Sequence, residues 1–196
     1  MANEPDDGTG KDSPTRRDVS KGGQRGEQGG EEASLPAALH PFTSSVEASL
    51  YVATTAAPDG ETAGCLVEFA TQCSILPTRF LVCISRENHT FTVASRSSCL
   101  ALHLLREDQV ELASLFAEET GDTVDKFGSV RWHRGKTGAP ILDDCASWVE
   151  GRILGRFDVG DHEADLLDTV DGGGRRTQVL TYQHAPFFRA GHPIPE

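Results

Sequence analysis

The sequence predicts a mainly β fold, a barrel or sandwich, with two or three short helices. Three observations lead there. At least six short runs rich in aliphatic and β-branched residues alternate with turn signals. Only two stretches carry helical spacing. No P-loop, no GxSxG elbow and no GxGxxG after a strand is present, which argues against a dinucleotide-binding α/β fold.

Residues 1–35 hold no aromatic and almost no aliphatic side chain. Such an acidic, Gly-rich stretch buries too little apolar surface to offset its chain entropy, so it is expected to be a disordered tail. It has no apolar segment of the kind a signal peptide needs. Residues 36–196 are expected to form one domain. Its first strand is "SLYVATTA" (49–56), ended by the turn "PDGE". "TAGCLVEFATQCSI" (62–75) is too long for one straight strand and should bend between Ala70 and Ser74. "RFLVCIS" (79–85) and "CLALHLLR" (99–106) follow. A helix is expected over 88–97, with Phe91, Val93 and Ala94 inward. A second is expected over 107–119, with Asp108 and Glu111 forming a capping box. Residues 120–142 read as a long, turn-rich loop of the kind that carries function. "ASWVEGRILGRFDV" (146–159) and "HEADLLDTV" (162–170) form a hairpin around Gly-Asp, and "TQVLTYQ" (177–183) closes the set.

The net charge of −12, with acids spread along the chain, disfavours a nucleic-acid or anionic-membrane surface. No run is long enough to span a bilayer as a helix. Cys65, Cys73, Cys83, Cys99 and Cys145 are odd in number and lack CxxC spacing. They read as buried thiols in a reducing cytoplasm, with no metal site. His103 and His133 read as core and loop residues.

Three pieces could carry chemistry. In "FLVCISRENHTFTVAS" a strand runs through a polar turn into a helix. Arg86 adds charge, and Ser85, Asn88 and Thr90 add hydrogen-bonding groups, so the turn could hold a phosphate. Taken alone, this stretch fits helix capping by Asn88 with a solvated Arg86 better than a phosphate site. The bend "ATQCS" could leave backbone N–H groups free to grip a flat heteroaromatic ring, or be an ordinary bulge. His162 follows the Gly160-Asp161 turn. Alternation puts it with Ala164 and Leu166 on one face, read as the inner one, and Glu163, Asp165 and Leu167 on the other.

Together "VATTAAPDGETAG", "FATQCSILPTRFLVCISRENHT", "DKFGSVRWHRGKTGAPIL", "W…EGRI" and "GDH" resemble, in order and spacing, the flavin reductase-like family over roughly residues 40–185. The resemblance implies an FMN-binding split β-barrel, working as a homodimer with the flavin near the subunit interface. It implies an NAD(P)H-dependent flavin reductase that moves hydride from NADH or NADPH to FMN or FAD and hands reduced flavin to a monooxygenase. The alternatives within the fold are a flavin-binding protein without turnover and a flavin-dependent tailoring enzyme. By resemblance, Cys65, Leu66, Val67, Glu68, Gln72, Cys73 and Ser74 line the flavin ring. Ser85, Arg86, Asn88 and Thr90 meet the phosphate, and His162 of "GDH" receives the nicotinamide. Glu68 stands where the family keeps a small residue, and Leu76-Pro77-Thr78 replaces a "DPP"-like segment. A carboxylate facing the ring opposes an anionic reduced flavin; one facing outward does not.

Overall fold

The computed structural model describes residues 39–185 and residue 188. The expected tail over 1–35 lies outside these residues. A single helical turn, α1 (His40–Thr43), leads into β1 (Tyr51–Ala56) and β2 (Thr62–Val67), joined through the "PDGE" turn. After a break at Glu68-Phe69 come β3 (Ala70–Ser74) and β4 (Arg79–Ser85), then α2 (His89–Ala94), β5 (Cys99–Leu104) and α3 (Val110–Glu118). A short hairpin, β6 (Trp132–Arg134) and β7 (Pro140–Leu142), precedes the long pair β8 (Ser147–Asp158) and β9 (His162–Gly174).

Seven strands form one sheet in the order β2-β1-β5-β8-β9-β4-β3, every pairing antiparallel. The sheet wraps one apolar cluster. Cys65 and Val67 from one edge strand, Val82 and Ile84 from near the other edge, and Leu100, Leu102 and Leu167 share it. A second cluster covers the opposite face around β1 and β5, where Val52 packs with Phe116 of α3, Phe127, Leu142 and Leu180. Nothing comparable covers the outer face of β9, β4 and β3 among the described residues. Beside it, Leu154 and Phe157 of β8 and Phe69 of the break before β3 are exposed.

Several expectations change. The long second strand breaks at Glu68-Phe69, two residues before the expected bend. β3 then carries a register shift between Gln72 and Ser74. The helix expected over 88–97 shortens to six residues, with Asn88 as its cap. The second starts at Val110 without a side-chain cap. Asp108 is drawn instead to Arg106 (Nε–Oδ1 2.8 Å), and Gln109 accepts from the Arg106 N–H. Residues 177–183 form no strand. Leu180 bonds Leu105 O and Leu50 N, Gln178 O accepts from Glu107 N–H and Tyr182 N–H donates to Ala48 O, so the segment is held by isolated bridges to Arg106 and Ser49 and not by a continuous ladder. The 120–142 loop holds the β6–β7 hairpin. Cys65 and Cys99 are buried as expected, but Cys73 is exposed because β3 is an edge strand.

His103 is fully buried. Its Nε2 accepts from Leu142 N–H (3.0 Å) and its Nδ1–H donates to Val52 O (3.0 Å), which fixes a neutral tautomer. Burial pushes its pKa down to about 4. His133 is an exposed residue of β6, paired with Asp143 (2.6 Å).

The face assigned to His162 is reversed. Leu167 packs in the core cluster, and the β4–β9 register sets Glu163, Asp165 and Leu167 opposite Ile84, Val82 and Phe80. His162 pairs with Ser85 on the other, outer face. Period-two alternation separates two faces, but only packing decides which one is inward.

Candidate active site

A cavity of about 390 Å³ opens at one end of the sheet. Cys65, Leu66 and Val67 of β2 wall one side, with Glu68 and Phe69 from the break that follows. Cys83 and Ser85 from β4, Asn88 and His162 wall another. Leu50 and the C-terminal Tyr182, Ala185 and Phe188 complete it. The walls are largely apolar with a few polar groups, which suits a flat heteroaromatic ring.

The hairpin that carries His162 is built tightly. Gly160 has φ +107°, a left-handed conformation that suits glycine, and its N–H donates to Asp158 Oδ1 (3.0 Å). The following Asp161 carboxylate accepts from His162 Nδ1 (2.8 Å). That bond holds Asp161 below the usual carboxylate range and keeps a proton on Nδ1, leaving Nε2 as the ring's other polar atom. The His162 ring also meets Phe69 edge-on at 5.5 Å.

The thiols here are neutral. Burial raises Cys65 to about 11, and burial together with the Asp165 charge raises Cys83. Burial also raises Glu68. Among the described residues no hydrogen bond or ion pair engages the Glu68 carboxylate, and no Lys or Arg lines the cavity.

The structure thus brings together seven of the twelve site residues expected from sequence: Cys65, Leu66, Val67, Glu68, Ser85, Asn88 and His162. The other five lie elsewhere. Gln72 and Cys73 are exposed on β3, with Gln72 Nε2 donating to Ser74 O (3.0 Å). Thr90 is buried behind Asn88, its N–H donating to Asn88 Oδ1 (3.1 Å). Arg86 latches the β8–β9 turn. Its backbone N–H donates to Asp161 O (3.0 Å), its Nε donates to Gly160 O (3.2 Å), and its guanidinium lies over Phe91.

Sequence reasoning missed Phe69, Cys83, Leu50, Tyr182, Ala185 and Phe188. Phe69 had one available signal, its place beside Glu68 in the quoted motif. Leu50, Tyr182 and Phe188 had none, since they meet only when the two ends of the domain fold together.

The family described as "Flavin reductase like domain" matches residues 43–191. The chain belongs to this family. Among its flavin reductase-like relatives is FMN reductase (NADH) RutF 1 of Methylorubrum extorquens, 31% identical over 155 residues that cover 76% of each chain. Among solved structures, the NADH:FAD oxidoreductase SgcE6 of Streptomyces globisporus C-1027 superposes with TM-score 0.66 at 22% identity, covering 74% of this chain and 86% of that one. A nitrilotriacetate monooxygenase component B homologue from Mycobacterium thermoresistibile gives TM-score 0.67 at 18% identity, covering 76% and 83%. At those identities the structures establish the shared flavin reductase-like fold. In that fold the cavity walled by β2, β4 and His162 is the candidate active site.

Proposed function

We infer that this protein is a nicotinamide-dependent flavin reductase, passing hydride from NADH or NADPH to FMN or FAD. The observation that carries this reading is the cavity. In a chain of this family, an apolar slot is edged by the Ser85 hydroxyl, the Asn88 amide and an Asp161-oriented His162. Bound flavin supplies the hydride acceptor at its N5, and bound nicotinamide the donor at its C4. The chain's own part is to hold both rings flat, keep water out and fix their approach. Cys65, Leu66 and Val67 form the apolar wall against the flavin. Ser85 and Asn88 are the polar contacts nearest its phosphate side. Arg86 sets the shape of the turn that carries His162, and His162 meets the nicotinamide. Gln72, Cys73, Ser74 and Thr90 complete the flavin surroundings in this reading, with β3 contributing from its exposed edge.

The wrapped sheet closes as a split barrel, and the working unit is a homodimer. The bare outer face supports the second statement. Register sets half-buried Leu166 beside Leu81 and Gly155, and exposed Phe157 and Phe69 extend this apolar strip toward the cavity at Phe69 and Cys83. Residues 36–196 are the functional domain and 1–35 a dispensable tail. The free thiols suit a reducing cytoplasm, and no helix among the described residues is long and apolar enough to cross a membrane. A relative named as a monooxygenase component supports delivery of reduced flavin to a monooxygenase.

The unpartnered Glu68 favours a second reading, a flavin-binding protein or tailoring enzyme without reductase turnover. Oxidation of NADH and NADPH, followed at 340 nm with FMN or FAD added, decides between them. Turnover is expected; its absence with every pairing overturns the reductase reading.

A further inference from the structure

Glu68 follows β2 directly and lines the cavity beside Phe69, whose ring touches His162. It is the one residue of the described cavity wall that carries a full charge at neutral pH by its ordinary chemistry, and no cation shares that wall. A lone carboxylate in a partly desolvated cavity sets a negative potential there, so its effect on a ligand follows the ligand's charge. It disfavours phosphates and a reduced, anionic flavin. It favours a cationic ring.

Resting on the reductase reading, the reaction supplies such a ring. The C4–H bond of dihydronicotinamide breaks and its electron pair leaves with the hydrogen to form the N5–H bond of the flavin. The nicotinamide, neutral before, becomes a pyridinium with one positive charge, and the flavin takes the negative charge. We propose that the Glu68 carboxylate stands on the nicotinamide side of the cavity with His162 and Phe69, and stabilises the positive charge that the nicotinamide gains as it gives up hydride. A group that interacts more strongly with the charged transition state than with neutral NADH accelerates the step. The same preference extends to the product, so Glu68 also makes NAD⁺ bind tightly relative to NADH. The acid that departs from the family's small residue is thereby a rate- and product-setting group.

The test uses the full chain loaded with oxidised FMN, which reacts with neither probe. NAD⁺, with its cationic ring, and tetrahydro-NAD, a neutral and unreactive mimic of NADH, are titrated calorimetrically into wild type, Glu68→Gln and Glu68→Asp. Glu68→Gln keeps the size and removes the charge. It should weaken NAD⁺ about tenfold while leaving tetrahydro-NAD within about twofold. Glu68→Asp should recover most of the NAD⁺ preference. Hydride transfer in Glu68→Gln, followed by stopped flow, should slow in parallel with the lost NAD⁺ affinity. Equal weakening of both probes, or no change in either, overturns the proposal while leaving the reductase reading intact. So does a gain in reduced-flavin affinity with an unchanged NAD⁺ preference, which would place the carboxylate on the flavin side. A wild type without NADH oxidation overturns both.

Discussion

Glu150, near the start of β8, is fully buried and accepts three hydrogen bonds: from Lys136 N–H (2.7 Å), Thr137 N–H (2.8 Å) and the Thr137 hydroxyl (2.5 Å). Glu68, one residue beyond β2, is half-buried and engages no partner among the described residues. The first carboxylate organises the β6–β7 turn so closely that a Cβ on Gly135 would lie 2.5 Å from Glu150 Oε2. The second organises nothing in the protein. Burying a carboxylate is costly unless donors replace its water, so a fully bonded acid is part of the scaffold. An acid left unbonded in a cavity keeps its interaction energy available to a ligand.

The largest expected effect lies at the bonded acid. Glu150→Ala strips three donors of a charged acceptor and should lower unfolding free energy by roughly 3–5 kcal/mol in urea melts. Glu68→Ala should change it by less than about 1 kcal/mol, because its half-buried carboxylate has no protein partner to lose among the described residues. Similar losses at the two positions would break the contrast.

Asp165 falls between them and sharpens it. It is buried beside Arg156 (Nε–Oδ1 3.3 Å), yet Oδ1 makes no properly directed hydrogen bond. Burial raises its pKa to about 6; Arg156 pulls it down and Glu163 pushes it up. A folded-state pKa above the unfolded one means that its contribution to stability is full at low pH and is lost as pH rises through about 6. Across that window wild type should lose up to roughly 3 kcal/mol that Asp165→Asn does not lose. Parallel melting curves against pH for the two proteins would show that Arg156 satisfies Asp165 after all.

A smaller effect is expected at the cavity rim. His162→Ala should raise the Michaelis constant for NADH about tenfold, equivalent to about 1.4 kcal/mol, with flavin affinity unchanged. Loss of flavin with an unchanged NADH constant would move His162 to the flavin side. The smallest effect is expected from deleting residues 1–35, which should leave melting temperature and flavin binding within error. A drop of several degrees would make that segment part of the fold.

The sequence by itself determined the β class, the β8–β9 hairpin around Gly160 and the family. The first two are local matters: side-chain alternation and a glycine that tolerates positive φ. Order and spacing of motifs were enough to recognise the family. Tertiary structure alone decided which face of β9 looks inward, because alternation is symmetric until a partner layer such as Val82 and Ile84 buries one side. It turned "TQVLTYQ" from an expected strand into isolated bridges to Arg106 and Ser49, and it took Arg86 into the hairpin turn. It also gave Glu150 its three donors and Glu68 none, since hydrogen-bond satisfaction depends on groups many residues away that only folding brings within 3 Å.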